Sequence, residues 1–256
     1  MSEIIIVIAA FIGALLTFFS GFGLGTILTP IFALFYPIET AIIMTALVHF
    51  ANNILKIILV GKSVNKKILF SFGFTSILGA IIGSLILGYF STENDFVQYS
   101  LFKHTFLTTQ SKILIGILMV LFSVVELFSE KLSTNFTLKN IGLGGFISGL
   151  FGGFSGNQGA IRSFFLSKLN LSAAEYIATG TAIALMVDFS RIGVYFNTSV
   201  SFDFKFSINV IVVMLAAFSG TLIGKKYLKK VNKEFLNFII AFFLIVIGLG
   251  LILGLV

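Results

Sequence analysis

Apolar residues run in blocks along nearly the whole chain, and polar residues gather in short punctuation between the blocks. A bilayer core is crossed by about 20 predominantly apolar residues, with a lower limit near 17. The pattern therefore predicts full membrane spans at 40–60, 67–90, 112–128, 172–196, 206–224 and 235–256. Two further stretches, 4–36 and 140–170, are each divided near the middle by a glycine-rich break. Their pieces, about 15 to 17 residues each, are barely long enough to cross.

The two breaks correspond to one another. A shift of 135 places Phe19-Ser20-Gly21 on Phe154-Ser155-Gly156, Asn53 on Asp188 and Lys56 on Arg191, and a slip of two more residues pairs Gly83 with Gly220. Internal duplication is a common construction of secondary transporters. The expected architecture is an all-α polytopic membrane protein of two homologous halves, 1–128 and 129–256. Each half is a broken, re-entrant helical hairpin followed by three transmembrane helices.

Composition agrees with the pattern: 57% of the 256 residues are hydrophobic, 11% are charged, and mean hydropathy is +1.10. Lipid rather than water is the solvent such a chain fits, and a multi-pass protein of the cell membrane is expected. The first residues, Met1-Ser2-Glu3, lack the basic start of a signal peptide, so the N-terminal segment is expected to remain as mature structure. The absence of cysteine excludes disulfides and thiolate chemistry, and no His/Asp/Glu grouping has a metal-ligand spacing, so no metal or cofactor is expected. The net charge of +7 reads as loop bias in a membrane protein rather than as affinity for nucleic acid.

The position of that charge orients the chain. If each broken stretch enters and leaves on one side, the second half is upside down relative to the first. Lys62, Lys66, Lys67, Lys131, Lys139, Lys168, Lys225, Lys226, Lys229, Lys230 and Lys233 then share one face, and Lys103, Lys112 and Lys205 the other. Such an imbalance is what the positive-inside rule expects of an inverted repeat, and it puts both termini outside the cytoplasm. Ten full crossings would give the same sidedness, so that version stays open.

A backbone break in hydrocarbon leaves amides and carbonyls unpaired at several kcal/mol each, unless protein packs around it or it lines a polar cavity. The breaks therefore mark the expected site. Half-helix N-termini there suit an anion, which makes Ser20, Gly21, Gly23, Ser155, Gly156, Asn157 and Gln158 candidate substrate ligands. Lys56 follows His49, Asn52 and Asn53 at seven, four and three residues, which forms one polar stripe on a helix. Lys56 could face the ligand or snorkel to the interface. Arg191 could contact the anion or neutralise Asp188 at i,i+3. Arg162 could approach the anion or reach water. His49, with Asp188 as a lesser candidate, is the natural group for proton coupling, or a packed histidine.

Gly21-Phe22-Gly23-Leu24-Gly25 with Pro30, then Pro37 and Ala41, then His49, Asn52-Asn53 and Lys56, resembles the first-half signature of the sulfite exporter TauE/SafE family. The second glycine-rich stretch and Asp188 to Arg191 fall where that family's second half would put them. The second tip departs from a plainer match, with Asn157-Gln158 in place of Phe22-Gly23. The resemblance implies a permease for sulfur-containing or organic anions such as sulfite, sulfoacetate or thiosulfate; alternating access is expected from two broken hairpins facing one another, with a proton as a candidate coupling ion through His49. A homo-oligomer is compatible with it.

Rival readings use the same residues. A passive anion channel would need the same dipoles and cations. Gly153-Phe154-Ser155-Gly156 fits the G-x-S-G pattern of rhomboid proteases, but such a serine takes its base from a later membrane helix, and His49 and His104 both precede Ser155. A transporter and not an enzyme is expected.

Overall fold

The computed structural model describes residues 2–20, 23–92, 96–101, 104–128, 140–197, 204–227 and 233–255. In chain order these form α1 (Ser2–Ser20), α2 (Leu24–Ala33), α3 (Ile38–Val60), a 3₁₀ turn (Gly61–Ser63), α4 (Lys66–Thr92), β1 (Phe96–Leu101), β2 (His104–Thr109), α5 (Gln110–Phe128), α6 (Ile141–Ser155), α7 (Gln158–Ser167), α8 (Ala173–Tyr195), α9 (Phe204–Tyr227) and α10 (Lys233–Ile252). Among the described residues, segments of α3, α4, α8 and α9 are long and apolar enough to cross a membrane. Large apolar side chains such as Ile58, Phe74, Leu78, Phe189 and Phe242 point outward and are more than half exposed. That surface suits lipid, where outward leucine and phenylalanine cost nothing. The fold is that of a helical membrane protein.

The six stretches expected to span appear as the helices α3, α4, α5, α8, α9 and α10, with ends displaced by a few residues; among the described residues the apolar parts of α5 and α10 are shorter than a full crossing. Both glycine-rich stretches are broken. At about 1.5 Å of rise per residue, the ten residues of α2 and the ten of α7 each cover about 15 Å, half of a hydrocarbon core. At the second break Gly156 takes the left-handed conformation (φ 79°) and its N–H returns to Gly152 O at 3.1 Å, which ends α6 as an αL cap.

Helix packing sets where the breaks sit. α1 lies along α9 and α6 along α4, while α3 packs on α8, α5 on α10 and α2 on α7. The first two contacts are backbone approaches made over glycine. A Cβ at Gly79 or Gly83 would stand 2.1 Å from Phe146 O or 1.9 Å from Leu150 O. One at Gly145, Gly149 or Gly153 would stand 2.3, 2.0 or 2.2 Å from the carbonyl of Phe72, Ser76 or Ala80. Partner numbers rise together, so α4 and α6 run parallel. Gly220 against Phe11 O (2.1 Å) and Gly224 against Leu15 O (2.7 Å) make α1 and α9 parallel in the same way. By contrast α3 and α8 are antiparallel, as Asn65 N bonding Thr179 Oγ1 and His49 bonding Asp188 require. Phe11 and Phe146 are 135 apart in sequence, as are Leu15 and Leu150, so Gly220 and Gly224 approach carbonyls offset by 135 from those that Gly79 and Gly83 approach.

The hairpin β1–β2 was not expected in an all-α chain. Its antiparallel register pairs Phe96 with Thr109 and Leu101 with His104. Tyr99 Oη donates to Leu253 O at 2.7 Å and Thr108 Oγ1 to Leu251 O at 2.9 Å, so the hairpin supplies donors to carbonyls at the end of α10, where Leu251 O also accepts from Gly254 N at 3.2 Å.

The start of α8 carries its own signal. Ser172 Oγ accepts from Glu175 N, and Ser172 N donates to Glu175 Oε2 at 3.0 Å, a reciprocal capping box. Ser172→Ala should lower stability by about 1 kcal/mol, read as a small drop in the thermal midpoint in detergent. A shift as large as those set out in the Discussion would mean that Ser172 does more than cap.

Candidate functional site

The two breaks meet inside the protein. A Cβ at Gly159 would stand 2.7 Å from Gly23 N and 3.1 Å from Thr26 Oγ1, and one at Gly25 would stand 3.3 Å from Gly156 O. Gly23 and Asn157, at the N-cap positions of α2 and α7, make no side-chain bond to their helices. Among the described residues neither half-helix has a side-chain cap at the junction, where each presents the positive end of its dipole, although Thr26 N donates to Gly23 O at 3.1 Å. Asn157 is fully buried, and neither its amide nitrogen nor its oxygen has a hydrogen-bond partner among the described residues. The hydroxyls of Thr26, Thr29 and Thr45 are in the same condition. Gly21 and Phe22 lie outside the described residues, and Ser20 is described only as the last helical residue of α1.

Asp188, fully buried on α8, collects donors from three helices. His49 Nδ1 lies 2.6 Å from its Oδ2, and Asn53 Nδ2 donates to the same oxygen at 3.3 Å. Gln158 Nε2 donates to Oδ1 at 2.9 Å, and Arg191 reaches Oδ1 with Nε at 3.0 Å and Nη2 at 2.8 Å. Arg191 also donates through Nη1 to Gly152 O at 3.0 Å, and Tyr195 Oη donates to Gly153 O. Of the two readings of Arg191, the Asp188 partnership is present. The carboxylate also ties α3, α7 and α8 at one point, where a buried ion pair needs such added hydrogen bonds to persist.

Beside this hub a cleft opens between the end of α1, α3, α7 and the first half of α8. It encloses about 330 Å³ of empty space, open solvent included, and is lined among others by Thr17, Gly23, Asn53, Lys56, Arg162 and Tyr176. Lys56 is 4% exposed, donates from Nζ to Thr17 O at 3.3 Å, and sits 5.7 Å over the Phe18 ring. It points into the protein and does not snorkel. Arg162 is 3% exposed and donates to Gln158 Oε1 at 3.1 Å. Among the described residues no carboxylate lines the cleft, and Lys56 forms no ion pair. Two buried cations beside a helix N-terminus have the chemistry to hold a small anion.

Other expected residues are distributed as follows. Gly23, Asn53 and Lys56 line the cleft, whereas Gly156, Asn157 and Gln158 sit at the junction of the tips. Ser155 Oγ donates to Phe151 O at 2.9 Å, within its own helix. Asn52 Oδ1 accepts from Thr221 Oγ1 at 2.7 Å, which leaves its Nδ2 without a partner among the described residues. Thr17, Thr26, Thr29, Thr45 and Tyr176 were missed. Thr26 and Thr29, three apart on an otherwise apolar helix, form a stripe that could have signalled them.

Residues 5–251 match the family model described as sulfite exporter TauE/SafE. No curated protein and no solved structure matches the chain. With that match running over nearly its whole length, and with a buried cationic cleft between broken helices, this chain belongs to the sulfite exporter TauE/SafE family, whose members are membrane transporters and not enzymes.

Proposed function

We propose that the protein is a secondary transporter that carries a small sulfur-containing oxyanion or organosulfonate, such as sulfite, across the cell membrane by alternating access. The observation that carries this reading is Lys56, buried in a cleft that adjoins the start of α2, with Arg162 in the same cleft and no carboxylate bonded to Lys56 among the described residues. Burying like charges together is unfavourable unless a counter-charge arrives, and a divalent or monovalent oxyanion offers oxygen acceptors to both cations and to helix N-terminal amides at once. Asn53, Gly23 and Asn157 complete the proposed ligand set.

The halves 1–128 and 129–256 are proposed as inverted repeats, α1–α5 matching α6–α10. Exchanging the halves turns α1 on α9 into α6 on α4 and returns α3 on α8, α5 on α10 and α2 on α7 to themselves, which supports the match. The antiparallel run of α3 against α8 supports inversion, since a parallel repeat would place equivalent helices in the same direction. The brevity of α2 and α7 favours re-entrant hairpins over ten crossings. Lys62, Lys66 and Lys168 lie at the end toward which the cleft opens, so the positive-inside rule makes this a cytoplasm-facing state. His49 and Asp188 are the proposed proton-coupling pair, because they join the two halves through a titratable contact at the hub.

In proteoliposomes, uptake of sulfite, thiosulfate or sulfoacetate should saturate and should respond to a pH gradient. Flux that rises linearly with concentration and ignores the gradient would instead indicate a pore. Lys56→Ala should reduce uptake about tenfold or more, the loss of one charge-assisted contact of about 1.5–3 kcal/mol, with membrane insertion unchanged. Wild-type rates in that variant would remove Lys56 from the site.

A further inference from the structure

The open cleft has a counterpart that is shut. The shift of 135 that carries Thr17 and Lys56 onto Gly152 and Arg191 also carries a hydrogen bond, since Lys56 Nζ donates to Thr17 O at 3.3 Å and Arg191 Nη1 donates to Gly152 O at 3.0 Å. The same shift takes Tyr176, Ile177 and Gly180 of the cleft wall back to Ala41, Ile42 and Thr45. Between α2 and α7 the shift is 134, set by the N-cap positions Gly23 and Asn157, and it takes Arg162 and Leu166 back to Leu28 and Phe32. A second set of walls therefore lies between α2 and α3, on the other side of the junction. Leu28, Phe32, Ala41, Ile42 and Thr45 are all 0% exposed, whereas Tyr176 and Ile177 at the rim of the cleft are half-buried.

The closed seam is not an ordinary core. The hydroxyls of Thr29 and Thr45 and both amide atoms of Asn157 are buried there without partners among the described residues. Thr29 Oγ1 would stand 2.8 Å from a Cβ at Gly156, and Thr45 Cγ2 3.5 Å from one at Gly25, so both side chains lie against the two tips. A buried hydroxyl left unpaired costs free energy that a valine of the same shape would not. The cost is recovered if the seam opens and an anion or water reaches those groups.

Resting on the transport reading above, we propose that this seam is the second half of the route. In this assignment Thr29, Thr45, Asn157 and Arg191 form a small-oxyanion site that opens to the opposite face of the membrane when the Lys56 cleft closes. Arg191 plays there the part Lys56 plays here, and its bond to Asp188 holds it while the seam is shut.

The natural sequence has no cysteine, so single-cysteine labelling is clean. With a membrane-impermeant maleimide, Thr45→Cys should react at least about tenfold faster from the face where α3 begins, and Thr181→Cys from the opposite face. In the double variant, modifying Thr181→Cys first should slow labelling of Thr45→Cys by a similar factor. Ala41→Cys serves as a second reporter in the seam should Thr45→Cys fail to accumulate. If neither reporter reacts from the α3-start face while the same vesicles take up sulfoacetate saturably, the seam is only a core and the transport reading survives. Labelling of Thr45→Cys from the cleft face, or rates indifferent to the Thr181→Cys modification, would likewise overturn the proposal. Absence of saturable uptake by the wild-type protein would overturn the transport reading itself and leave the labelling result to stand by its own evidence.

Discussion

Gly83→Val is expected to destabilise the protein by about 3 kcal/mol, the upper part of the range for overpacking, and to lower the yield of folded protein in the membrane. The added Cβ would stand 1.9 Å from Leu150 O and 2.9 Å from both Leu150 C and Phe154 N. All three are backbone atoms of α6, so no flexible side chain can swing aside. α4 and α6 must separate, and the neighbouring approaches at Gly79, Gly149 and Gly153 loosen with them. Gly193→Ala is the matched control, because nothing stands within 4 Å of a Cβ there, and removing an exposed helical glycine should stabilise by up to about 1 kcal/mol. Thermal unfolding in detergent distinguishes them. Equal midpoints for Gly83→Val and the wild type would mean that α4 and α6 do not approach as described.

Asp188→Ala should destabilise by about 3–5 kcal/mol, the cost of stranding a buried charge. Arg191, fully buried, would lose its counter-charge, and His49, Asn53 and Gln158 would lose a common acceptor. Asp188→Asn keeps one carbonyl acceptor and most of the shape, so it should retain more of the fold and still fail in pH-coupled uptake. The pair of variants separates the structural duty of the carboxylate from its proposed coupling duty. If Asp188→Ala unfolds at the wild-type midpoint, Arg191 has a second counter-charge and the hub is not what holds α3, α7 and α8 together.

The spans were legible because lipid imposes a coarse rule on composition, and α3, α4 and α8 need nothing finer than apolar length to be found. The breaks were legible for the complementary reason that Gly21-Phe22-Gly23 and Ser155-Gly156 interrupt what hydrocarbon would otherwise keep continuous. The strands 96–101 and 104–109 were missed because the two residues between them in sequence, Phe102 and Lys103, carry none of the Gly, Asn or Asp signals that mark a hairpin, and because their bonds to the end of α10 leave no mark in a local window. At the site, Lys56 and Asp188 declared themselves as charges out of place. Thr29 and Thr45 did not, since a threonine among isoleucines is routine until its hydroxyl is found with nothing to bond. Arg162 was visible, but its direction was not, because i,i+4 spacing from Gln158 says which face it shares and not what that face meets.

Among the described residues Lys56 is tethered by one rather long bond to a main-chain oxygen and by the face of a single phenyl ring. In the proposed transport cycle an arriving guest has little to dislodge, and a departing one leaves behind a cation that can settle again nearby. Such a seat favours rapid turnover over tight retention, so half-saturation should come at modest rather than trace concentrations.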